Sequence, residues 1–387
     1  MAGPLAKTTV LDLSSVGPAA RAAGWLADYG ACVIKVAPLA KDAGAQITPP
    51  VHAYSGGRGT QRIQLDLKTD AGRETFLRLA EHSDVVMESF RPGVVGRLGV
   101  GYDDVKSRNP RIVYCSTSGY GQTGPWSQWA GHDLNYLAVS GYLHNTERGE
   151  GGKPPVPGAT VADSAGGGLH AVTAILAALV AREHTGDGTY IDVSVADGML
   201  SLMALQVDEH LSTGREAAPG TAPLGGRYAC YDTYAAADGR WVAVAAIEPR
   251  FWANLCRLLG LEELTDKQYD ADAQDELRAA LASCFATRPR DEWVANLAGA
   301  DTCVAPVLSP AEASAAEQFT ERGAVVAARP AAGEPALRQL APLLAGSRRE
   351  ASYDLPDRSR TDTETVLRDA GFDADEIAQL RTDGVVA

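Results

Sequence analysis

The chain has 387 residues, of which 45% are hydrophobic and 22% charged, a composition that buries a large core and excludes a disordered or low-complexity protein. A formal charge of -14 with a pI near 5.0 and no Lys/Arg run repels polyanions, so nucleic acid and anionic membranes are excluded as partners. A single hydrophobic core stops growing before this length, and two domains are expected.

Short β-branched runs recur at residues 8–13, 31–36, 62–67, 84–88 and 111–116, with helix-like segments between them such as AGRETFLRLAEH at 71–82. This βαβ rhythm predicts an α/β domain built on a doubly wound parallel sheet with right-handed crossovers. After Asp163, AGGGLHAVTAILAALVARE predicts one buried helix, ended by the HTGDG turn at 184–188 and followed by a strand at 190–195. The apolar stretch 166–181 is too short to span a bilayer and contains His170.

The large domain is therefore expected to cover residues 1–213. GREAAPGTAPLGG at 214–226 is the linker candidate. Strands at 228–234 and 241–247 around the AAADG hairpin signal, then helices near 249–260, 274–286 and 290–298, predict a smaller α+β domain at 227–329. Residues 330–387 end in helices around 361–370 and 374–380. The six cysteines show no CxxC pairing or compact disulfide spacing and read as reduced thiols. The first residues lack a basic segment followed by an apolar one, which points to the cytoplasm.

Several side chains are candidates for chemistry. His132 in WAGHDLNYLAVSG follows a turn and opens a helical pattern, where backbone N–H groups are free; Asp133 beside it suits an N-cap or, through its N–H, an oxyanion. Asp163 heads SAGGG and a long apolar helix, and the Gly166, Gly167 and Gly168 triplet is expected to let a ligand approach the backbone. Glu248 in AAIEPRFW ends an apolar strand just before Pro249, either as a cap or as a buried carboxylate that tunes an imidazole. Arg58, Arg62 and Arg91 sit in loops at strand edges and form a candidate anion clamp. SGYGQTGPW contains GxGxxG but runs into Pro125 instead of opening a helix, so the dinucleotide reading is weak. No metal-ligand spacing of the HExxH or CxxC type occurs.

Three blocks carry a resemblance over nearly the whole chain: VLDLSSVGPAARAAGWLADYGACVIKV, RIQLDLKTDAGRETFLRLAEHSDVVMESFRPGVVGRLGVGYDDVKSRNPRIVYCSTSGYGQTGP and RTDTETVLRDAGFDADEIAQL. Together they resemble the family III CoA-transferase superfamily. Within it, GHDLNYLAVSG, ADSAGGGLHAVTAILAAL and AIEPRFW resemble the α-methylacyl-CoA racemase branch. The resemblance implies a Rossmann-like large domain completed by residues 330–387, a small domain, and two interlocked chains forming a homodimer. It implies an acyl-CoA substrate, with CoA as part of that substrate and no separate cofactor. His132 and Asp163 fall on the two racemase bases and Glu248 on a supporting position. In the transferases the aspartate at the position of Asp163 is instead the nucleophile. The chain departs from the family at Ala37 in KVAPL, where a charged residue is usual, and at RGTQR, where RGKRS is common.

Overall fold

The computed structural model describes residues 3–39, 53–146, 152–216, 218–330, 335–344, 349–357 and 359–387. The chain divides into two units: Met1–Ser140, Pro157–Leu202 and Glu317–Ala387 make up the first, Gly141–Val156 and Met203–Ala316 the second.

In the first unit, strand β1 (Thr9–Asp12) turns at Gly17 into helix α1 (Gly17–Asp28), whose first turn carries Pro18 and whose alanines let it lie close on the sheet. Then come β2 (Cys32–Ala37), β3 (Thr60–Gln64), α2 (Asp70–Glu81) and β4 (Val85–Glu88). Two short helices, α3 (Val94–Leu98) and α4 (Tyr102–Arg108), lead to β5 (Val113–Ser118) and α5 (Asp133–Val139). The short helix α6 (Tyr142–Asn145) belongs to the second unit. The chain returns through a π-helical turn at Ala162–Leu169, α7 (His170–Thr185), β6 (Thr189–Ser194) and α8 (Val195–Leu202).

All six strands are parallel in the order β3-β2-β1-β4-β5-β6. Consecutive strand residues point to opposite faces, and both faces are covered. Val10, Val33, Val85 and Val113 pack with α1 and α7, while Leu11, Ile34, Val86 and Tyr114 pack with α2 and the C-terminal helices. The strand order reverses between β1 and β4, which opens a crevice at their carboxyl ends.

The apolar stretch predicted as short is longer than expected. The π-helical turn continues into α7, giving one helix over Ala162–Thr185, 24 residues, long and apolar enough to cross a membrane by length and composition. In this fold Ala171, Val172, Ile175, Ala178 and Leu179 of that helix are buried in the core shared with α1 and the sheet.

The second unit holds α9 (Ala204–Thr213), the antiparallel sheet of β7 (Tyr231–Ala235), β8 (Trp241–Ala245) and β9 (Val304–Pro306), helices α10 (Pro249–Leu259), α11 (Gln274–Phe285) and α12 (Arg290–Leu297), and α13 (Pro310–Ala315). Trp252, Phe285 and Trp293 fill its core against Val242 and Val244. Residues 214–226 lie inside this unit rather than between the two.

The chain re-enters the first unit at α14 (Glu317–Glu321) and forms β10 (Val325–Arg329), β11 (Leu337–Leu340) and β12 (Ser352–Asp354). This small sheet has no sequence signal. Helices α15 (Thr363–Asp369) and α16 (Ala374–Thr382) close the core, and Val386 bridges to Leu65 beside β3.

Candidate active site

The carboxyl edge of the parallel sheet carries a cavity of about 690 Å³, lined by Ser14 after β1, Lys35 and Ala37 of β2, Tyr54 and Gly57 before β3, Arg62 of β3, and Ser89 and Phe90 after β4. One wall is a strained turn. Tyr54 and Ser55 adopt φ of 50° and 53°, and Gly56, Gly57 and Gly59 also have positive φ, a geometry that glycine accepts and tyrosine rarely does. Asp12 is fully buried; it accepts from Ser14 N–H at 2.8 Å and pairs with Lys35. The buried Ser14 Oγ has no hydrogen-bond partner among the described residues, a donor left over on the cavity wall.

Asp163 lies at the other side of the β1–α1 turn. A Cβ added at Gly17 would sit 4.0 Å from Asp163 Oδ2, and Gly17 N–H donates to the Tyr54 hydroxyl at 3.2 Å. The π-helical turn sets Asp163 facing α5. Its N–H donates to Asp133 Oδ1 at 2.8 Å, so Asp133 caps not its own helix but the one that bears Asp163. His132 is the N-cap of α5, exposed, with its N–H donating to Asn135 Oδ1 at 3.0 Å. The Asp133 N–H stands at the first helical position, where no intrahelical acceptor exists.

Burial pushes the Asp163 carboxyl above the usual carboxylate range, and the negative charge of Asp133 adds to this; Arg21 and His132 pull the other way. His132 and Asp163 are thus brought together in one electrostatic site. Tyr136, one turn along α5 from His132, donates to Gly131 O at 2.6 Å and fixes the turn that presents the imidazole. It packs edge-on against Tyr120, which meets the stacked pair Trp126 and Trp129.

The glycine triplet has a different role from the expected one. A Cβ on Gly166 would lie 2.9 Å from Met199 Cγ, on Gly167 2.5 Å from Pro18 Cβ, and on Gly168 2.8 Å from Trp25 Cζ3. Gly166 and Gly167 therefore let the π-helical turn press onto α1 and α8, and their Cα faces are not open to a ligand. Sequence alone does not distinguish close approach by a helix from close approach by a small molecule.

Arg58 also departs from the expected clamp. It is buried, donates from Nε and Nη2 to both oxygens of Asp28 at 2.6 and 2.8 Å, and from Nη1 to Leu340 O at 2.6 Å. Its donors are used inside the fold. Arg62 lines the cavity, and its backbone N–H donates to Asp362 Oδ2 at 2.8 Å. Arg91 is exposed on the loop leaving β4 and makes no ion pair among the described residues. Glu248, in the second unit, is the N-cap of α10; its side chain is exposed and makes no capping bond, so the alternative of a buried carboxylate is corrected.

Sequence reasoning missed Arg21, Tyr54 and Thr160. Arg21 is half-buried on α1, donates from Nη2 to Thr160 Oγ1 at 2.7 Å, and lies over the Tyr54 ring 4.9 Å from its centroid. The available signal was a single cation within the otherwise apolar GPAARAAGWL, directly after the β1 turn.

A Rossmann-type parallel sheet, a ligand-sized cavity on its carboxyl edge, and an imidazole next to a carboxyl biased toward its protonated form define an α/β enzyme that works on a small molecule bound along that edge. Residues 5–357 match the family described as CoA-transferase family III, and the chain belongs to that family. It is 35% identical over 383 residues to the human alpha-methylacyl-CoA racemase, covering 98% of this chain and 96% of that protein. It is 34% identical over 342 residues to the acetyl-CoA:oxalate CoA-transferase of Acetobacter aceti, covering 84% and 86%. A CAIB/BAIF family protein from Brucella suis shares the fold with a TM-score of 0.78 at 27% identity, covering 96% of this chain and 100% of that one.

Proposed function

We propose that this protein is an α-methylacyl-CoA racemase that inverts C2 of a 2-methyl-branched acyl-CoA. The proton next to a thioester carbonyl is a very weak acid, so its removal needs a positioned base and a donor for the enolate oxygen. In one direction neutral His132 takes the proton while protonated Asp163 delivers another to the opposite face; in the reverse direction the roles exchange. The Asp133 N–H, at the helix N-terminus between them, receives the developing oxyanion. The observation that carries this reading is that half-buried Asp163, bonded through its N–H to Asp133 beside His132, has its carboxyl pushed upward by burial, the direction in which a one-proton pair has to be tuned.

CoA enters as part of the substrate and the chemistry requires no other cofactor. Its nucleotide end occupies the cavity at the carboxyl edge of the sheet, with Arg62 and Arg91 toward the phosphates. The working form is a homodimer in the cytoplasm. Exposed apolar side chains on α7, α8 and α9, among them Val180, Leu200, Leu205 and Leu211, support this assembly, since a second copy would cover them. Sedimentation equilibrium should then give twice the 40.6 kDa chain mass.

A 2-methylacyl-CoA incubated with the enzyme in deuterated water should take up label at C2 and racemise without any second substrate. If turnover requires an added carboxylic acid, and hydroxylamine traps an acyl group on Asp163, the enzyme is a family III CoA-transferase with Asp163 as nucleophile and the racemase reading fails.

A further inference from the structure

We propose that Arg21 is a positioning residue for Asp163: its guanidinium, anchored on the segment that carries Asp163, is a permanent positive charge that favours the ionised carboxyl in the steps where Asp163 acts as base or nucleophile. The inference rests on Asp163 being the reacting carboxyl, and it applies whether Asp163 moves a proton or attacks a thioester.

Arg21 lies one helical turn after Gly17, the residue whose α-carbon faces Asp163 Oδ2. Two contacts fix its head group, the Thr160 hydroxyl at 2.7 Å and the Tyr54 ring at 4.9 Å. Thr160 stands three residues before Asp163, so the same segment anchors the cation and carries the carboxyl. The Arg21 Nε is buried and has no hydrogen-bond partner among the described residues. Arg58, which serves only the fold, uses Nε and both terminal nitrogens. A buried donor left unused on a cation anchored to the segment that bears a half-buried carboxyl fits a charge kept for the reaction cycle.

The groups around Asp163 explain why such a charge is needed. From α5 come Asp133, the capping His132 and Tyr136, and from α1 comes Arg21. Asp197 of α8, Asp192 of β6 and His170 of α7 are exposed on the remaining packed elements. The charges that act on the Asp163 carboxyl are Asp133, Arg21 and His132. His132 changes its own charge whenever it exchanges a proton, so it cannot supply a constant counter-charge. Arginine stays charged throughout.

The direct test is a pH titration of the Asp163 side-chain carbon in the free protein, using ¹³C-labelled aspartate and assignment by Asp163→Asn. In Arg21→Gln the midpoint should move up by about one pH unit, the size of effect expected when an adjacent opposite charge is lost, and the acid limb of kcat/KM should move with it. Arg21→Lys, which keeps the charge, should titrate within a few tenths of a unit of the wild type. An unmoved midpoint in Arg21→Gln, or a Lys variant displaced as far as the Gln variant, would overturn the proposal. Should Arg21→Gln not fold, Thr160→Val frees the guanidinium from its anchor and should give a smaller upward shift, and no shift would count against the idea. The titration needs no turnover, so its failure is distinct from a failure to exchange deuterium at C2.

Discussion

The two ends of helix α1 meet two carboxylates under opposite regimes. At its C-terminal end the Asp28 side chain is buried but gripped through both oxygens by Arg58, and that cation is in turn held by Leu340 O. At its N-terminal end Asp163 is half-buried beside a second carboxylate, Asp133, with Arg21 and His132 only partly compensating. The first arrangement is closed: charges match, donors are spent and nothing remains for a ligand. The second is left unbalanced, and burial beside Asp133 raises the carboxyl's hold on a proton. One helix thus fastens the fold at one end and borders the proposed chemistry at the other.

The largest effect should come from emptying the unbalanced end. Asp163→Ala and His132→Ala are each expected to slow α-proton exchange in deuterated water by roughly 10²–10⁴-fold, the range for a lost general acid or base. Their melting temperatures should change little. Wild-type exchange in either variant would break the contrast.

At the closed end, Arg58→Ala should leave an unpaired buried carboxylate and cost about 3–5 kcal/mol of stability in urea unfolding. KM for the acyl-CoA should stay near the wild-type value in the surviving folded protein. A stable variant with a much raised KM would restore Arg58 to the anion clamp.

Glu88, at the end of β4, offers an intermediate case. It is buried, accepts from Phe90 N–H at 2.7 Å, and burial pushes its carboxyl up to about 7 from an ordinary 4.5. The folded state therefore holds a proton that the unfolded chain releases first. The stability this contributes is full below pH 4.5 and is lost as pH rises through 7, by about 3 kcal/mol. Glu88→Gln should flatten the stability profile between about pH 4.5 and 7, as read by urea midpoints across that range. A profile as steep as the wild type's would remove Glu88 as its source.

The smallest effect concerns the cavity. Ser14→Ala removes a buried hydroxyl that has no partner among the described residues, so it should leave stability unchanged while raising KM about fivefold, the value of one modest hydrogen bond to the ligand. An unchanged KM would mean that the ligand does not reach this wall.

The parallel-sheet strands were legible because they are short β-branched runs separated by amphipathic helices, and the period of the pattern reports local geometry directly. The hairpin of β7 and β8 and helices α10 to α12 were legible for the same reason. The sheet of β10, β11 and β12 was not, since its pairing is long-range and its strands are brief and half-exposed. His132 and Asp163 stood out through their motif contexts; the roles of their neighbours did not. Arg58 reads like a phosphate ligand until Asp28 is seen across from it, and the glycines before α7 read like a ligand cradle until Pro18, Trp25 and Met199 are seen to fill the space.

By itself, then, the sequence determined the α/β class, the order of the parallel-sheet strands and the hairpin along the chain, and the two side chains of the proposed proton exchange, because local patterning and motif spacing are written in consecutive residues. Tertiary structure alone decided which charges are spent on the fold and which remain unbalanced, because the energy of a buried charge depends on what faces it across space. Arg58 and Arg21 are the same residue type, one on a loop and one on a helix, and only their partners, Asp28 for one and Thr160 with Tyr54 for the other, separate a fastener from a charge that can act on Asp163.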